Sequence, residues 1–329
     1  MSLKNIISKT RTLISGDYRE IERNMIAARN EKVIRKYNGK VPVYCVLRLY
    51  SDEAGLFSFF LKAISGISYS LQHGFVPVID MQTKENIFLD AKQRKKTNVW
   101  ECFFEQPGGV SYSDKKKKKN VIIIENPRMP EGAMSSLLWQ ERLRNYWHTV
   151  FLNHIRFSEP AKTEISKYEN VFEKHSRWLG VLARGTDYLS MGVGHAVQPD
   201  RKTLIEKIEE TRKKYDCDGI FLATEDMDIL DGLKEYFGDD LFYTEQKRYR
   251  GKQDQKLGKM ADYKEDAIGM NMTYLAALWY LSRCNCLIAA NTGGTTGVYI
   301  MSDGFEYVHC WIMGTMGSTD EKTLDISKI

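Results

Sequence analysis

Three stretches of this sequence end an apolar run on residues suited to handling a phosphorylated ligand. The first is Gly180-Val181-Leu182-Ala183, which breaks off at Arg184-Gly185-Thr186-Asp187. An arginine there can offer its planar fork of N–H groups to a diphosphate, and Thr186 with the neighbouring amides can add donors. The same arginine can equally close a salt bridge with a nearby acid, and spacing alone does not choose between the two. The second stretch is Phe221-Leu222-Ala223-Thr224-Glu225-Asp226. Asp226 suits the N-cap of a following helix. Asp226 and Asp228 also have the Asp-x-Asp spacing with which two carboxylates grip a magnesium or manganese ion, although a first helical turn favours acids in any case. The third stretch is Ala289-Ala290-Asn291-Thr292-Gly293-Gly294-Thr295-Thr296-Gly297. Its glycines let the backbone approach a ligand closely, and a helix opening near Thr295 would present free amides to an anion. No lysine follows the glycines, so this is not a Walker-type phosphate loop.

Chemistry at such places requires strands that end there. Val41 to Leu49, Phe75 to Asp80 and Val121 to Glu125 read as strands, with a helix-like stretch from Ser51 to His73 between the first two. The pattern restarts at Trp178 to Ala183, with further strands at Gly219 to Thr224, Cys286 to Ala290 and Glu306 to Trp311. Helices are expected over Arg201 to Tyr215, from Asp226 to Tyr236, and in a long run ending at Ser282. Strands alternating with helices imply parallel sheets covered by helices, an α/β protein. Ligands of such sheets bind outside the carboxyl ends of the strands. The expected organisation is an N-terminal helical segment over 1–40, an N-terminal α/β domain over 41–133, a helical connector over 134–176 and a C-terminal Rossmann-like domain over 177–329.

At 329 residues, with 43% hydrophobic and 28% charged residues, the chain suits two globular domains. No window approaches 18 uninterrupted apolar residues, so no transmembrane helix is expected. The first residues carry Lys4, Lys9 and Arg11 and no long apolar region, so a secretory leader is not expected either. The six cysteines form neither a disulfide framework nor a zinc spacing and read as reduced core residues. A net charge of +5, partly from the run Lys115 to Lys119, is modest, and no finger, basic groove or aromatic-interleaved basic stretch points to nucleic acid. The apolar stripe Ile6, Ile7, Leu13 and Ile14 can pack on the body of the protein or touch a membrane surface. Trp100, Trp139 and Trp147 can stack on sugar rings or fill a core. The loops at 50–57 and 84–120 carry no residue set that reads as a glycan code.

From Gly180 to Met301 the sequence resembles the donor half of α-1,6-fucosyltransferases, of rhizobial nodulation fucosyltransferases and, more distantly, of protein O-fucosyltransferases. Gly180-Val181-Leu182-Ala183-Arg184-Gly185-Thr186-Asp187 is similar to their first motif and keeps its first arginine, threonine and aspartate. Phe221 to Asp226 matches the second, and Leu281-Ser282-Arg283-Cys284-Asn285 with the loop from Asn291 matches the third. The segment Asn98 to Glu105 is similar to bacterial members. This sequence departs from the pattern at Leu182, where the family has histidine, and at Gly185, where it has a second arginine. The acid proposed as base in α-1,6 enzymes falls near Gly192 to Gly194, and an aspartate that reads guanine falls at Ala277.

The resemblance implies two Rossmann-like domains facing a cleft, the GT-B arrangement, with the acceptor site formed by the N-terminal domain over 41–133 and GDP-fucose bound in the C-terminal donor domain over 177–329, inversion at the sugar carbon and no metal or other cofactor. It implies that Arg184 stabilises the departing diphosphate and that Thr292 to Thr296 complete the phosphate cradle. Donor-binding residues are then expected among Gly185, Thr186, Thr224, Glu225, Asp226, Asn291, Thr292, Gly293, Gly294, Thr295 and Thr296. The base is expected at Asp187 or His195, both in the loop after Arg184. The expected partners are a nucleotide-sugar donor and a glycan or glycolipid acceptor, in the cytoplasm or at the inner face of the membrane, for synthesis of a surface polysaccharide or oligosaccharide. Two other readings remain: a metal-dependent sugar transferase using Asp226 and Asp228, and a binding module that holds nucleotide or glycan without chemistry.

Overall fold

Five residues, Tyr44–Arg48, form β2 of the first sheet and are shielded almost throughout, as an apolar run between two covered faces requires. The structure, a computed structural model, describes residues 32–34, 42–113, 120–127, 140–189, 196–253, 255–312 and 324–325. The chain divides into two compact units, 1–158 and 159–329. The division falls within the stretch 134–176.

In the first unit, β2 pairs in parallel with β3 (Val76–Asp80) on one side and β4 (Val121–Glu125) on the other. β1 (Lys32–Ile34) adds antiparallel to β4. This corrects the expectation of helix across 1–40 at the three residues that are described; their backbone completes the edge of β4, and the rest of that segment, with its apolar stripe, lies outside the described residues. Between β2 and β3 runs α1 (Leu56–Gln72), nearly all of whose first fifteen residues are buried. It lies so close to β2 that a Cβ on Gly66 would fall 2.7 Å from Leu47 Cδ1, so a larger residue there would require Leu47 to shift. An aromatic cluster of Phe60, Trp100, Phe104, Phe151 and Phe157 joins α1 to the later segments of the unit. α2 (Glu141–His154) contributes Leu143, Trp147, Val150 and Phe151, one helical face. Trp100 and Trp147 are fully buried core residues; Trp139 and the run Lys115 to Lys119 lie outside the described residues.

In the second unit the strands are β5 (Trp178–Leu182), β6 (Gly219–Ala223), β7 (Leu241–Tyr243), β8 (Cys286–Ala290), β9 (Tyr307–Trp311) and β10 (Leu324–Asp325). Their spatial order is β10-β9-β8-β5-β6-β7, parallel except for β10. On one face Leu179, Val181, Ile220, Leu222 and Ile288 form a core with Leu204 and Ile208 of α4 (Arg201–Tyr215) and Leu230 and Leu233 of α5 (Met227–Phe237). On the other, Gly180 lies under α6 (Ala267–Leu281), where a Cβ would be 3.0 Å from Leu281 Cδ2. α3 (Glu159–Ser166) also packs there, with the Tyr280 hydroxyl donating to the Ile165 carbonyl at 2.8 Å. Helices therefore cover both faces, and the sheet is Rossmann-like. All six cysteines are free thiols, five of them buried.

Both sheets obey the same rule of winding. The chain fills β5, β6 and β7 outward in one direction, then crosses back to lay β8 and β9 on the other side of β5. The crevice of such a sheet opens where the order reverses, here between the carboxyl ends of β5 and β8. In the first unit the same reversal falls between β2 and β4.

Candidate functional site

At the carboxyl end of β5 the chain turns sharply. Thr186 takes a positive φ of 47°, and Tyr188 N–H closes the turn on the Gly185 carbonyl at 2.9 Å. The turn hangs on the end of β6, next door. Gly185 N–H donates to Glu225 Oε1 at 2.9 Å and Thr186 N–H to Asp226 Oδ2 at 3.0 Å. The Thr186 hydroxyl lies 3.1 Å from Glu225 Oε1 and 3.3 Å from Asp187 Oδ1. The approach is so close that a Cβ at Gly185 would stand 2.0 Å from Asp226 Oδ2. A side chain at position 185 is therefore incompatible with Asp226 where it stands.

Arg184 projects from this turn with 17% of its side chain exposed. Its Nε lies 2.8 Å from Glu225 Oε2 but makes no hydrogen bond, because the N–H does not point at that oxygen. Its Nη2 is 3.5 Å from Asp187 Oδ1, and its guanidinium carbon sits 4.3 Å from the centre of the Tyr188 ring. Burial pulls the pKa of Arg184 down, but Glu225 and the other surrounding groups more than reverse this and hold it well above its usual value. The group is a permanent cation. The salt-bridge reading of Arg184 is thus realised in this structure, in a form held by charge more than by hydrogen bonds.

Asp226 has a structural task. It is 2% exposed; Oδ1 caps α5 by accepting Asp228 N–H at 2.7 Å and Ile229 N–H at 3.0 Å, while Oδ2 holds Thr186. Asp228 is half exposed and pairs with Arg250 at 2.8 Å; Gly251 N–H and that arginine hold its carboxyl below the usual range. One carboxylate is thus engaged by backbone amides and the other is paired with a cation. Among the described residues no group of three or more metal-ligating side chains comes together. Thr224 is buried; its hydroxyl accepts Asp226 N–H at 3.1 Å and its carbonyl takes Gln246 Nε2 at 2.7 Å.

Across the reversal, α7 (Gly293–Met301) starts directly after β8. Thr292 is its N-cap and accepts Thr295 N–H at 3.2 Å. The Thr295 hydroxyl returns to the Ala290 carbonyl and that of Thr296 to the Thr292 carbonyl. These hydroxyls shape the turn. The donors left here are the amides of Gly293 and Gly294 and the side chain of Asn291, none of which has a hydrogen-bond partner among the described residues. Asn291 N–H itself donates to the Trp311 carbonyl at 3.1 Å. Tyr274 of α6 ties the two strand ends together. A Cβ on Gly294 would lie 2.4 Å from its hydroxyl, and the same phenol neighbours Arg184. Burial raises its pKa, so it stays a neutral donor.

Of the residues singled out from sequence, Arg184, Gly185, Thr186, Asp187, Thr224, Glu225 and Asp226 form one connected group. Asn291 to Thr296 stand on the other bank, joined to it through Tyr274. His195 lies outside the described residues. Asp187 is 5% exposed, and its oxygens are occupied by Arg184, Thr186 and Leu257 N–H at 3.4 Å, so it is committed to holding the turn. Sequence reasoning missed Tyr188 and Tyr274 as partners of the arginine. Tyr188 is adjacent in sequence and legible in hindsight; Tyr274 sits in an apolar helix, and no spacing singles it out.

No protein-family model matches the chain, and no curated protein sequence does. Solved structures do. The fold is similar to that of NodZ alpha-1,6-fucosyltransferase soaked with GDP-fucose, at 15% identity and a TM-score of 0.50, over 87% of this chain and 99% of that one. It is similar also to Se-Met fucosyltransferase NodZ from Bradyrhizobium, at 13% identity and a TM-score of 0.52, over the same shares of the two chains. In fold, the chain is fucosyltransferase-like.

Proposed function

We propose that this chain is a glycosyltransferase that takes fucose from GDP-fucose and passes it, with inversion, to a hydroxyl of a glycan. The observation that carries the reading is the pairing, at one topological reversal, of a partly buried permanent cation at the end of β5 with two unpartnered amides at the end of β8. Support also comes from the fold it shares with a fucosyltransferase whose crystals were soaked with GDP-fucose.

In the proposed reaction the acceptor oxygen bonds to C1 of fucose from the face opposite the diphosphate. The C1–O bond breaks, and its electron pair goes to the β-phosphate oxygen of GDP. Negative charge grows on that oxygen as the bond loosens. Arg184 and the amides of Gly293 and Gly294 are fixed beforehand, so they stabilise the transition state more than the bound donor. Glu225 holds Arg184 without hydrogen-bonding its Nε, which leaves the guanidinium able to turn its N–H groups to phosphate. The proton of the acceptor hydroxyl goes to a base. With Asp187 committed to the turn, His195 is the remaining base proposed from sequence. No metal is assigned a part, since Asp226 and Asp228 are already occupied. Synthesis of a surface polysaccharide or oligosaccharide, in the cytoplasm or at the inner face of the membrane, is the proposed setting. Among the described residues no helix is long and apolar enough to cross a membrane.

The test is a thermal-shift comparison of GDP, UDP, CMP and dTDP with and without EDTA, followed by turnover of GDP-fucose. A ligand at about 100 times its Kd adds about 2.7 kcal/mol to stability. Selective stabilisation by GDP, indifferent to EDTA, is expected; no response to any of the four nucleotides would leave a binding module of another kind.

A further inference from the structure

Helix α6 is buried almost from end to end, yet between Asn271 and Leu281 two residues keep some exposure, Tyr274 and Trp279. Tyr274 is the one that reaches the reversal of the second sheet. A Cβ on Gly294 would collide with its hydroxyl, and would lie 3.3 Å from Leu278 Cδ1 and 3.4 Å from Leu182 Cδ2. The hydroxyl is thus pressed against the first turn of α7, beside the last residue of β5. Arg184 stands within hydrogen-bonding reach of the same hydroxyl.

The packing of α6 does not call for a polar atom here. The residues that follow, Leu275, Ala276, Ala277 and Leu278, are apolar and buried, and a phenylalanine ring would fill the same space. The hydroxyl also constrains its neighbour, since any side chain at position 294 would require it to move. At position 182 the family motif has histidine, a polar ring, and this chain has leucine. A polar group missing from the end of β5 is therefore present at the same place from α6.

Arginine carries donors only, so toward Arg184 the phenol oxygen accepts and its own O–H proton is donated elsewhere. Burial raises the pKa of the phenol, which keeps that proton in place at neutral pH. An anion lodged between Arg184 and the start of α7 would meet this O–H together with the amides of Gly293 and Gly294. We propose that Tyr274 is a further hydrogen-bond donor to the β-phosphate of the donor nucleotide. The assignment rests on the donor reading above and adds to it a residue that no motif or spacing marks.

The test is calorimetry of the full chain with GDP and with GMP, which differ by that one phosphate. The wild type is expected to prefer GDP by about 10²-fold or more, since several hydrogen bonds to a charged group are at stake. Tyr274→Phe and Tyr274→Met remove the hydroxyl with different fillings, so the comparison does not hang on one of them folding. Each should narrow the preference about tenfold, the scale of one such hydrogen bond, with GMP binding little changed. In an Arg184→Ala background Tyr274→Phe should narrow it further. A hydroxyl that acts only by holding Arg184 would add nothing there, and that result would overturn the proposal. So would an undiminished preference in a folded variant that lacks the hydroxyl. A wild type that does not prefer GDP to GMP would remove the donor reading and this assignment with it, an outcome distinct from the other two.

Discussion

Each unit places an arginine at or just beyond the end of the first strand of its winding, and the two arginines are held in opposite ways. Arg48 is locked by hydrogen bonds to carboxylates on both neighbouring strands, one of them fully buried. Arg184 stands beside Glu225 at a similar distance, yet its Nε makes no hydrogen bond, and a tyrosine ring lies against its face. The same topology has thus produced a structural clasp in one unit and a poised cation in the other. What differs is the next strand end. In the second unit the chain beyond β8 opens a glycine-rich helix start that offers amides to an anion, whereas β4 ends on a carboxylate.

The comparison breaks most visibly if both arginines are removed in turn. Arg48→Ala leaves Asp80 buried without its cation and should cost about 3–5 kcal/mol, seen as lost hydrogen-exchange protection of the β2 and β3 amides. Arg184→Ala should cost clearly less stability but lower turnover of GDP-fucose by about 10²-fold or more, the scale for one preorganised donor. Equal stability losses would mean that Arg184 is a clasp as well. Next in size is Gly185→Ala, which drives a Cβ into Asp226 and should destabilise by about 1–3 kcal/mol in urea unfolding, with Thr186 and Arg184 displaced together. A neutral result would show that Asp226 can withdraw. The smallest effect is expected from Asp228→Asn: a stability change within about 0.5 kcal/mol and turnover that still ignores EDTA. A collapse of activity there, restored by manganese, would bring back the metal-dependent reading.

The strand and helix order was legible because apolar runs and caps are local. The helix Arg201–Tyr215 and the strand Val121–Glu125 fall where the pattern puts them, and Asp226 caps its helix as its type and place suggest. The three polar strand ends were legible for the same reason. Which atoms of them remain available was not. Thr292, Thr295 and Thr296 looked like phosphate donors, and their hydroxyls turn out to close the helix start. The backbone offers the same side-chain oxygen a nearer partner.

An α/β chain of parallel sheets, with an arginine turn, an acid-capped helix and a glycine-rich helix start at strand ends, can be read from consecutive residues alone. Which ends become neighbours is settled by the folded strand order. Strand order set Arg184 against Glu225 and Arg48 against Glu125, 41 and 77 positions apart in the chain. It also brought Tyr274 between the two banks of the second crevice. Pairings over such distances depend on where each crossover lays its strand, and no local pattern of residue types encodes that choice.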